Sequence, residues 1–397
     1  MKFDTIKLSE LAAIQTGPFG SQLHKEDYVV HGTPIVTVEH LGDRKFIEQN
    51  LPCVSDKDKE RLKKYILKTG DIVFSRVGSV DRCSYVSTEY EGWLFSGRCL
   101  RVRPCEKLNP EYLYYFFSLE ETKQFVRNIA TGATMPSINT KFMGEIPIRV
   151  PSLETQNKIA SILWMIDDKI ELNEKINENL EQQVLSLYRN KFDNTSNSER
   201  KICRADEYFD ISIGKTPPRK EPQWFSTNLQ DVTWVSISDM GTCGLYIMRS
   251  SEQITQEAVE RHNVKVVPDN TIILSFKLTV GRIAITNGEM TTNEAIAHFK
   301  TDKKEINEYL YCYLKCFNYQ TMGSTSSIAT AVNSKIIKGM PFVVPTNAEL
   351  EEFHDFAAPM FAKIKANQIE TDNLTELRDT LLPKLMSGEL DVSKIEF

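Results

Sequence analysis

The sequence predicts an α+β protein of two similar globular blocks, each followed by a long helix. Three observations lead to this prediction. A long helical pattern occurs twice, at 154–192 and 349–386. The segments before them, 1–150 and 200–345, alternate short apolar runs with turn residues. These two segments also resemble each other, so the chain is a tandem repeat with predicted pseudo-twofold symmetry.

The seam of the first helix repeats every 3.5 residues, the spacing of a helix that packs along another helix. Its members are Ile159, Leu163, Ile166, Ile170, Asn173, Asn177, Leu180, Val184 and Leu187. The same spacing returns 194 residues later at Phe353, Ala357, Met360, Ile364, Asn367, Thr371, Leu374, Arg378 and Leu381. We therefore expect the two helices to pair antiparallel as a coiled coil, which buries both seams.

Asn173 and Asn367 occupy equivalent positions in the seam. An asparagine at such a position lowers the stability of a coiled coil but fixes its register. The alternative interpretation is a wet stretch of a long helix with no role in register.

The difference in residue number between a motif and its repeat varies within the blocks and is constant along the helices. It is 200 for the pair IVFS and IILS (72–75 and 272–275), 197 for EYLY (111–114 and 308–311) and 194 for INTK and VNSK (138–141 and 332–335). It stays at 194 along the helices. Loops tolerate insertions, whereas one inserted residue rotates every later helical side chain by about 100°. The helix length is therefore constrained.

Within the first block, β-branched runs predict strands at 33–43, 70–78 and 94–102, and a Pro-flanked strand at 146–151. A helix is expected over 109–126, with Asn109 as its N-cap and Pro110 in its first turn. A polar loop at 131–141 follows, and Ser152 is expected to cap the first long helix. The letters NPEY at 109–112 are similar to a motif of N6-adenine methyltransferases, but Glu111 replaces its second proline, which favours a helix cap.

Composition limits the classes of protein that fit. Hydrophobic residues make up 41% and charged residues 26%, which is typical of globular proteins. The chain has no apolar run long enough for a membrane span and no signal-peptide pattern at its start. The eight cysteines are scattered, so free thiols and a cytoplasmic location are expected.

Charge differs between the blocks and the helices. Residues 1–150 and 200–345 each carry a net charge of +2, whereas 151–199 carry −4 and 346–397 carry −6. The blocks are therefore the better surface for a polyanion and the helices for a protein partner. The sequence contains no P-loop, HExxH or GxSxG motif, and we expect no catalytic residue and no metal site on this chain.

Several motifs, taken in order, resemble the specificity subunit of Type I restriction–modification enzymes. They are GTPI (32–35), GDIVFSR (70–76), INTK (138–141), PSLETQNKIASIL (151–163), DDKIELNEKINENLE (167–181) and LRDTLLPKLMSGEL (377–390). In the last motif Pro383 is expected to stop the helix and Gly388 to cap it. The resemblance covers essentially the whole chain. It departs from the family after the IVFS strand, where Asp81 and Leu278 stand in a turn that often carries two glycines.

The resemblance implies target-recognition domains at 1–151 and 200–345, each reading one half of a bipartite double-stranded DNA site. The segments 152–199 and 346–397 would be the spacer helices, with a linker and a tail, that dock two modification (methyltransferase) subunits. Restriction subunits, an ATP-dependent translocase and nuclease, would join this assembly. S-adenosylmethionine, ATP and Mg²⁺ would bind those partners and not this chain.

Basic residues near predicted turns are the candidate DNA contacts, because Arg pairs with guanine and Lys contacts phosphates. They are Arg44, Lys45, Arg76, Arg82, Asn139 and Lys141 in the first block, and Lys215, Arg219, Lys220, Lys277, Arg282, Asn333 and Lys335 in the second. Asn139 and Asn333 recur at equivalent positions, which indicates a structural or phosphate role rather than base reading.

Two other classes of function stay open at this point. One is a coiled-coil scaffold or adaptor whose blocks bind no DNA. The other is a nuclease or methyltransferase in its own right, which turnover by the isolated chain would reveal.

Overall fold

The computed structural model describes residues 3–132, 134–193, 200–322, 332–392 and 395. The chain divides into two compact units, residues 1–168 with 374–397 and residues 169–373. Each unit contains one block and part of both long helices. This division passes through the helices, unlike the predicted boundaries at 151, 199 and 345. The predicted linker at 194–199 lies outside the described residues.

The described residues of the first block form ten short strands and five short α-helices, besides 3-10 turns. The strands are β1 (Asp4–Lys7), β2 (Ala12–Thr16), β3 (Tyr28–Val29), β4 (Thr33–Val36), β5 (Cys53–Val54), β6 (Ile72–Ser75), β7 (Cys83–Tyr85), β8 (Leu94–Phe95), β9 (Cys99–Pro104) and β10 (Pro147–Val150). The helices are α1 (Leu8–Leu11), α2 (Asp56–Arg61), α3 (Pro110–Ser118), α4 (Glu120–Ile129) and α5 (Thr140–Gly144), followed by the long helix α6 (Leu153–Tyr188).

The second block contains the remaining strands and helices. The strands are β11 (Ile202–Arg204), β12 (Asp210–Ile213), β13 (Phe225–Ser226), β14 (Val232–Val235), β15 (Tyr246–Ile247), β16 (Glu252–Ile254), β17 (Ile272–Ser275), β18 (Ile283–Thr286), β19 (Thr291–Thr292), β20 (Ile296–Lys300) and β21 (Pro341–Val343). The helices are α7 (Ala205–Tyr208), α8 (Asp239–Thr242), α9 (Gln256–Arg261), α10 (Asn307–Cys316) and α11 (Ser334–Lys338), followed by the long helix α12 (Asn347–Ser387).

The two blocks share one sheet topology. The first has sheets in the order β2-β9-β6-β7 and β3-β5-β4-β8, and a pair β1-β10. The second repeats these as β12-β20-β17-β18, with β15 added at the edge, β13-β16-β14-β19 and β11-β21. The pair β4-β8 of the first block and the equivalent pair β14-β19 of the second are both parallel, and the added strand β15 is also parallel to β18. The predicted α+β fold with two repeated blocks and two long helices is confirmed.

The central strand of each block is buried on both faces. Ile72 and Phe74 belong to the core beneath α3, whereas Val73 belongs to the core of the second sheet. β17 repeats this alternation, with Ile272 in one core and Ile273 in the other. A strand covered on both sides reads as a continuous apolar run, which is why the sequence identifies it so clearly.

Two predicted strands are shorter than expected because local contacts interrupt them. The strand expected at 33–43 ends at Val36, since Thr37 caps a 3-10 turn and its N–H donates to His40 Nδ1 at 3.2 Å. The strand expected at 94–102 breaks into β8 and β9. Gly97 lies in this break, where a Cβ would stand 2.4 Å from the Pro18 carbonyl oxygen.

The helix expected at 109–126 is two helices. Asn109 is its N-cap as predicted, and its side chain accepts from Tyr112 N–H at 2.8 Å. Leu119 then adopts φ −59° and ψ 132° and separates α3 from α4. Because the side chain of Leu119 is buried in this conformation, packing outweighs the continuation of the helix. The last two residues of the loop predicted at 131–141 belong instead to the start of α5.

A side-chain hydroxyl caps the N-terminus of each long helix. Ser152 Oγ accepts from Thr155 N–H at 3.3 Å, which confirms the predicted cap. Thr346 caps α12, and the Glu349 carboxylate accepts from its N–H at 2.9 Å. Hydrogen bonds from Arg200 to that carboxylate, at 2.7 and 3.1 Å, lower the pKa of Glu349 to about 2. Arg200 also donates to the Phe192 carbonyl at 3.0 Å and so connects the end of the first long helix with the start of the second.

The ends of the long helices differ in part from prediction. After α6, residues Arg189–Asp193 form a π-helical turn. Pro383 does not stop α12, which continues to Ser387. Proline removes one backbone hydrogen bond, but Leu385 and Met386 are fully buried in the first block's core, and this packing maintains the helix. Gly388, at φ +80°, is the predicted cap.

Within the second unit α6 and α12 run antiparallel and enclose a polar layer. Asn173 Nδ2 donates to Glu370 at 2.9 Å, and Asn367 Nδ2 donates to Asn177 at 2.8 Å. Residue numbers thus rise along one helix as they fall along the other. Lys169 completes the layer with contacts of 3.0 Å to Asn173 and 3.1 Å to Glu370. Both seam asparagines are buried, so a wet surface stretch does not describe them.

We predict that changing both Asn173 and Asn367 to Leu stabilises the protein while loosening the choice of helix partner. The Asn367 Oδ1 is buried with no hydrogen-bond partner, and an apolar seam removes that cost. The apparent Tm should rise by roughly 2–4 °C, and native mass spectrometry should show additional oligomers. The control is Asn179→Leu, which changes an exposed residue of α6. An unchanged Tm with a single species would contradict a role in register.

Candidate nucleic-acid interface

In the first block, the turn after β6 brings together two loops. The Ile138 N–H donates to the Arg76 carbonyl at 3.0 Å, and the Gly78 N–H donates to the Pro136 carbonyl at 2.8 Å. The Arg76 guanidinium lies 4.7 Å from the ring centroid of Phe19, on the loop after β2. The turn after β6 and these two loops therefore form one continuous surface.

The two arginines of this turn have different surroundings. Arg76 is half-buried, and its Nε is buried with no hydrogen-bond partner among the residues that the structure describes. Arg82 is exposed, and within the described residues its side chain has no hydrogen bond or ion pair. Its neighbour Asp81 pairs with Arg127 and so does not neutralise it. Arg82 is the cation of this turn that is available to an anionic ligand.

Arg44 and Lys45 lie elsewhere in the first block. Arg44 occupies a left-handed turn at φ +62°, and its guanidinium stacks 3.8 Å from the Trp164 ring and pairs with Asp168, both on α6. Its side chain is only 13% exposed. Lys45 Nζ lies 3.7 Å from Glu89. Arg44 thus packs its block onto the long helix, and the predicted DNA contact at both residues stays a prediction.

The equivalent turn of the second block, after β17, is held by Ser275. Its Oγ donates to the Thr279 carbonyl at 2.6 Å and accepts from the Arg282 N–H at 3.1 Å. Lys277 is exposed, whereas Arg282 turns inward and donates to the Ile237 carbonyl at 2.6 Å. Lys277 is therefore the exposed cation here, and Arg282 has a structural contact.

The loop after β12 carries three further candidates of this block. Arg219 forms two hydrogen bonds with Glu252, at 2.9 and 2.8 Å, and stacks 4.6 Å from Trp234. Lys215 and Lys220 are exposed. The Lys215 carbonyl accepts from the Trp234 indole at 3.3 Å, which fixes the backbone of the loop.

Glu294 indicates that this loop lies close to the turn after β17. Burial opposes ionisation of its carboxyl, but a hydrogen bond from Thr216 lowers the pKa. The positive charges of Lys277 and Arg219 act on the pKa of Glu294 in the same direction. Thr216 and Arg219 of the loop and Lys277 of the turn therefore lie near one carboxylate.

The repeated asparagines cap short helices. Asn139 Oδ1 accepts from the Phe142 N–H at 2.9 Å, and Asn333 Oδ1 accepts from the Ile336 N–H at 3.0 Å. Their recurrence therefore has a structural cause, and no base contact needs to be invoked for it. Lys141 and Lys335 are exposed in the first turn of α5 and α11.

Each block has one exposed apolar residue beside its turn that was not among the candidates from the sequence. Phe19 is 48% exposed beside Arg76, and Leu278 is 97% exposed at the tip of the turn after β17. Leu278 stands where the first block has Gly78. The sequence identified Leu278 only as a departure from the glycines of the family, because a search for cations does not select a leucine as a DNA contact.

The family model described as "Type I restriction modification DNA specificity domain" matches residues 1–182 and 197–376. The chain therefore belongs to the family of Type I restriction–modification specificity subunits, and its two blocks are DNA-recognition domains. In the part of the chain that the structure describes, no helix is long and apolar enough to cross a membrane.

Individual relatives agree with this family over nearly the whole chain. The Type I restriction enzyme MjaIX specificity subunit of Methanocaldococcus jannaschii is 26% identical, covering 99% of this chain and 94% of that protein. The HindI specificity subunit of Haemophilus influenzae is 23% identical, covering 90% and 95%. The crystal structure of the Type I restriction–modification S subunit from M. genitalium matches with a TM-score of 0.60 at 15% identity, covering 97% of this chain and 96% of that one. This last similarity supports the fold.

We predict that Arg82→Ala and Lys277→Ala each weaken DNA binding and reduce its dependence on salt. A cation that contacts a phosphate releases a counterion, so each variant should lower the slope of log K against log salt by about 1. Fluorescence anisotropy of labelled duplex at several salt concentrations measures this slope.

The controls are Lys68→Ala and Lys265→Ala, which change exposed lysines that precede β6 and β17. These two lysines precede β6 and β17, whereas Arg82 and Lys277 lie in the turns that follow these strands. Slopes that do not distinguish the variants from these controls would exclude phosphate contacts at the two turns.

Proposed function

We propose that each block reads one half of a bipartite DNA site and that the paired long helices set the distance between the halves. Two blocks with the same sheet order and the same buried central strand support this proposal. A repeated framework presents two equivalent surfaces, as the two halves of a bipartite site require. Each surface then needs its own side chains to read its own half-site.

The observation that carries the proposal is that the framework is repeated while the side chains at the turns after β6 and β17 are not. The turn after β6 presents Gly78 and an exposed Arg82, whereas the turn after β17 presents Leu278 and an Arg282 that bonds inward. Structural residues recur instead. Tyr112 donates to the Arg149 carbonyl at 2.7 Å, and the equivalent Tyr309 donates to the Val343 carbonyl at 2.8 Å.

The long helices suit a role as spacer and docking surface. A helix rises about 1.5 Å per residue, and α6 and α12 have 36 and 41 residues. Both segments carry net negative charge, which disfavours contact with phosphates. Apolar side chains nevertheless remain exposed on them, namely Leu153, Met165, Leu172, Phe356, Ile369 and Leu377. We infer that two methyltransferase subunits cover these side chains.

In this proposal the chain performs no chemistry itself. The methyltransferase subunits would bind S-adenosylmethionine, and restriction subunits would bind ATP and Mg²⁺. The chain would determine which DNA sequence is bound, and its partners would modify or cleave the DNA.

Selection from a random duplex library by the complex with methyltransferase subunits tests the proposal. We expect two conserved half-sites separated by a gap of fixed length and variable sequence. Arg82→Glu should abolish the sequence preference in one half-site, and Lys277→Glu combined with Lys215→Glu should abolish it in the other. Each substitution replaces attraction to phosphates by repulsion.

Other outcomes would favour the alternative functions. Selection without any sequence preference would indicate a scaffold. Methyl transfer by the isolated chain would indicate an enzyme. A single uninterrupted motif that survives both sets of substitutions would contradict the assignment of one half-site to each block.

A further inference from the structure

Leu278 has a backbone conformation that leucine rarely adopts. Its φ is +61°, in the left-handed region that favours glycine. Its side chain is 97% exposed, so packing within the chain does not compensate for this conformation. Strain of this kind concentrates at functional sites.

The framework itself does not require a leucine at this position. The equivalent residue of the first block is Gly78, at φ +76°. Both turns are closed by a serine hydroxyl that donates to a carbonyl, Ser75 to Val77 at 2.7 Å and Ser275 to Thr279 at 2.6 Å. Glycine satisfies such a turn without strain, and the second block carries a large apolar side chain there instead.

The surroundings of Leu278 indicate a nucleic-acid ligand. Lys277 and Thr279 beside it are exposed. The positive charge of Lys277 lowers the pKa of Glu294, and residues of the loop after β12 lower the pKa of the same carboxyl. The Thr279 N–H donates to the Lys277 carbonyl at 2.7 Å, so the tip is tightly turned. The tip therefore combines a positive charge, which suits a phosphate, with one projecting apolar group.

We propose that Leu278 contacts the C5-methyl group of a thymine in the half-site that the second block reads. This inference rests on the proposed function. The thymine methyl is the apolar group that base pairs present in the major groove, and Leu278, 97% exposed, projects from the turn that joins β17 and β18. Gly78 offers no such contact, so the two half-sites should differ in this respect.

Deoxyuridine substitution tests the proposal, because it removes the methyl group and leaves base pairing intact. Affinities are measured for the complex with methyltransferase subunits, on the selected duplex with each thymine replaced in turn. We expect one replacement in the second block's half-site to weaken binding roughly fourfold to tenfold, the effect of one buried methyl group or slightly more. Leu278→Gly should show the same loss on the thymine duplex and no further loss with deoxyuridine.

Two controls separate this effect from a folding defect. The Tm of Leu278→Gly should be no lower than that of the wild type, because glycine adopts positive φ freely. Leu229→Gly changes another leucine of the second block, 74% exposed, and should retain the full discrimination between thymine and deoxyuridine.

Two results would overturn the inference. One is a second half-site without thymine. The other is discrimination between thymine and deoxyuridine that Leu278→Gly retains; if that variant weakens both duplexes equally, the side chain is inserted between bases. In each case the wild type still selects a bipartite site, so the proposed function stands. A wild type without sequence preference would overturn both.

Discussion

The burial of both long helices in the core of each unit is the constraint on which the rest of the structure depends. Ile159 and Leu163 of α6 share the first unit's core with Leu385 and Met386 of α12. In the second unit Val184, Leu185 and Tyr188 share the core with Phe353, Ala357 and Phe361. Each block therefore needs segments from both helices to complete its core. An insertion in either helix would rotate one set of core residues away, which accounts for the constant offset of 194 residues.

This constraint separates the residues that must stay from those that are free to change. Capping asparagines, buried tyrosines and the central strands maintain the framework and recur in both blocks. The tips of the turns contribute little to it, since Gly78 and Leu278 occupy the same place in the two blocks. In the proposed function, changes at the exposed tips alter the DNA sequence that is recognised while the cores remain intact, which fits a family of specificity subunits.

Much of this fold was predictable, because repeats, apolar runs and the 3.5-residue seam are local signals. The ends of elements were not, since they depend on contacts such as Thr37 with His40 and on the burial of Leu385 beyond Pro383. Sheet order depends on pairing between distant segments, which no local pattern encodes. The sequence identified basic residues near predicted turns, and their role as DNA contacts stays a prediction. Only the structure distinguishes Arg282, which bonds to Ile237, from Lys277, which is exposed.

The most direct test of the central claim is a map of methylated adenines across the host genome with and without this gene. The account predicts a bipartite methylated motif that disappears when the gene is deleted and returns with the wild-type chain. A chain carrying substitutions in one block should restore a motif altered in one half only. An unchanged methylation map, from a gene shown to be expressed, would contradict the account.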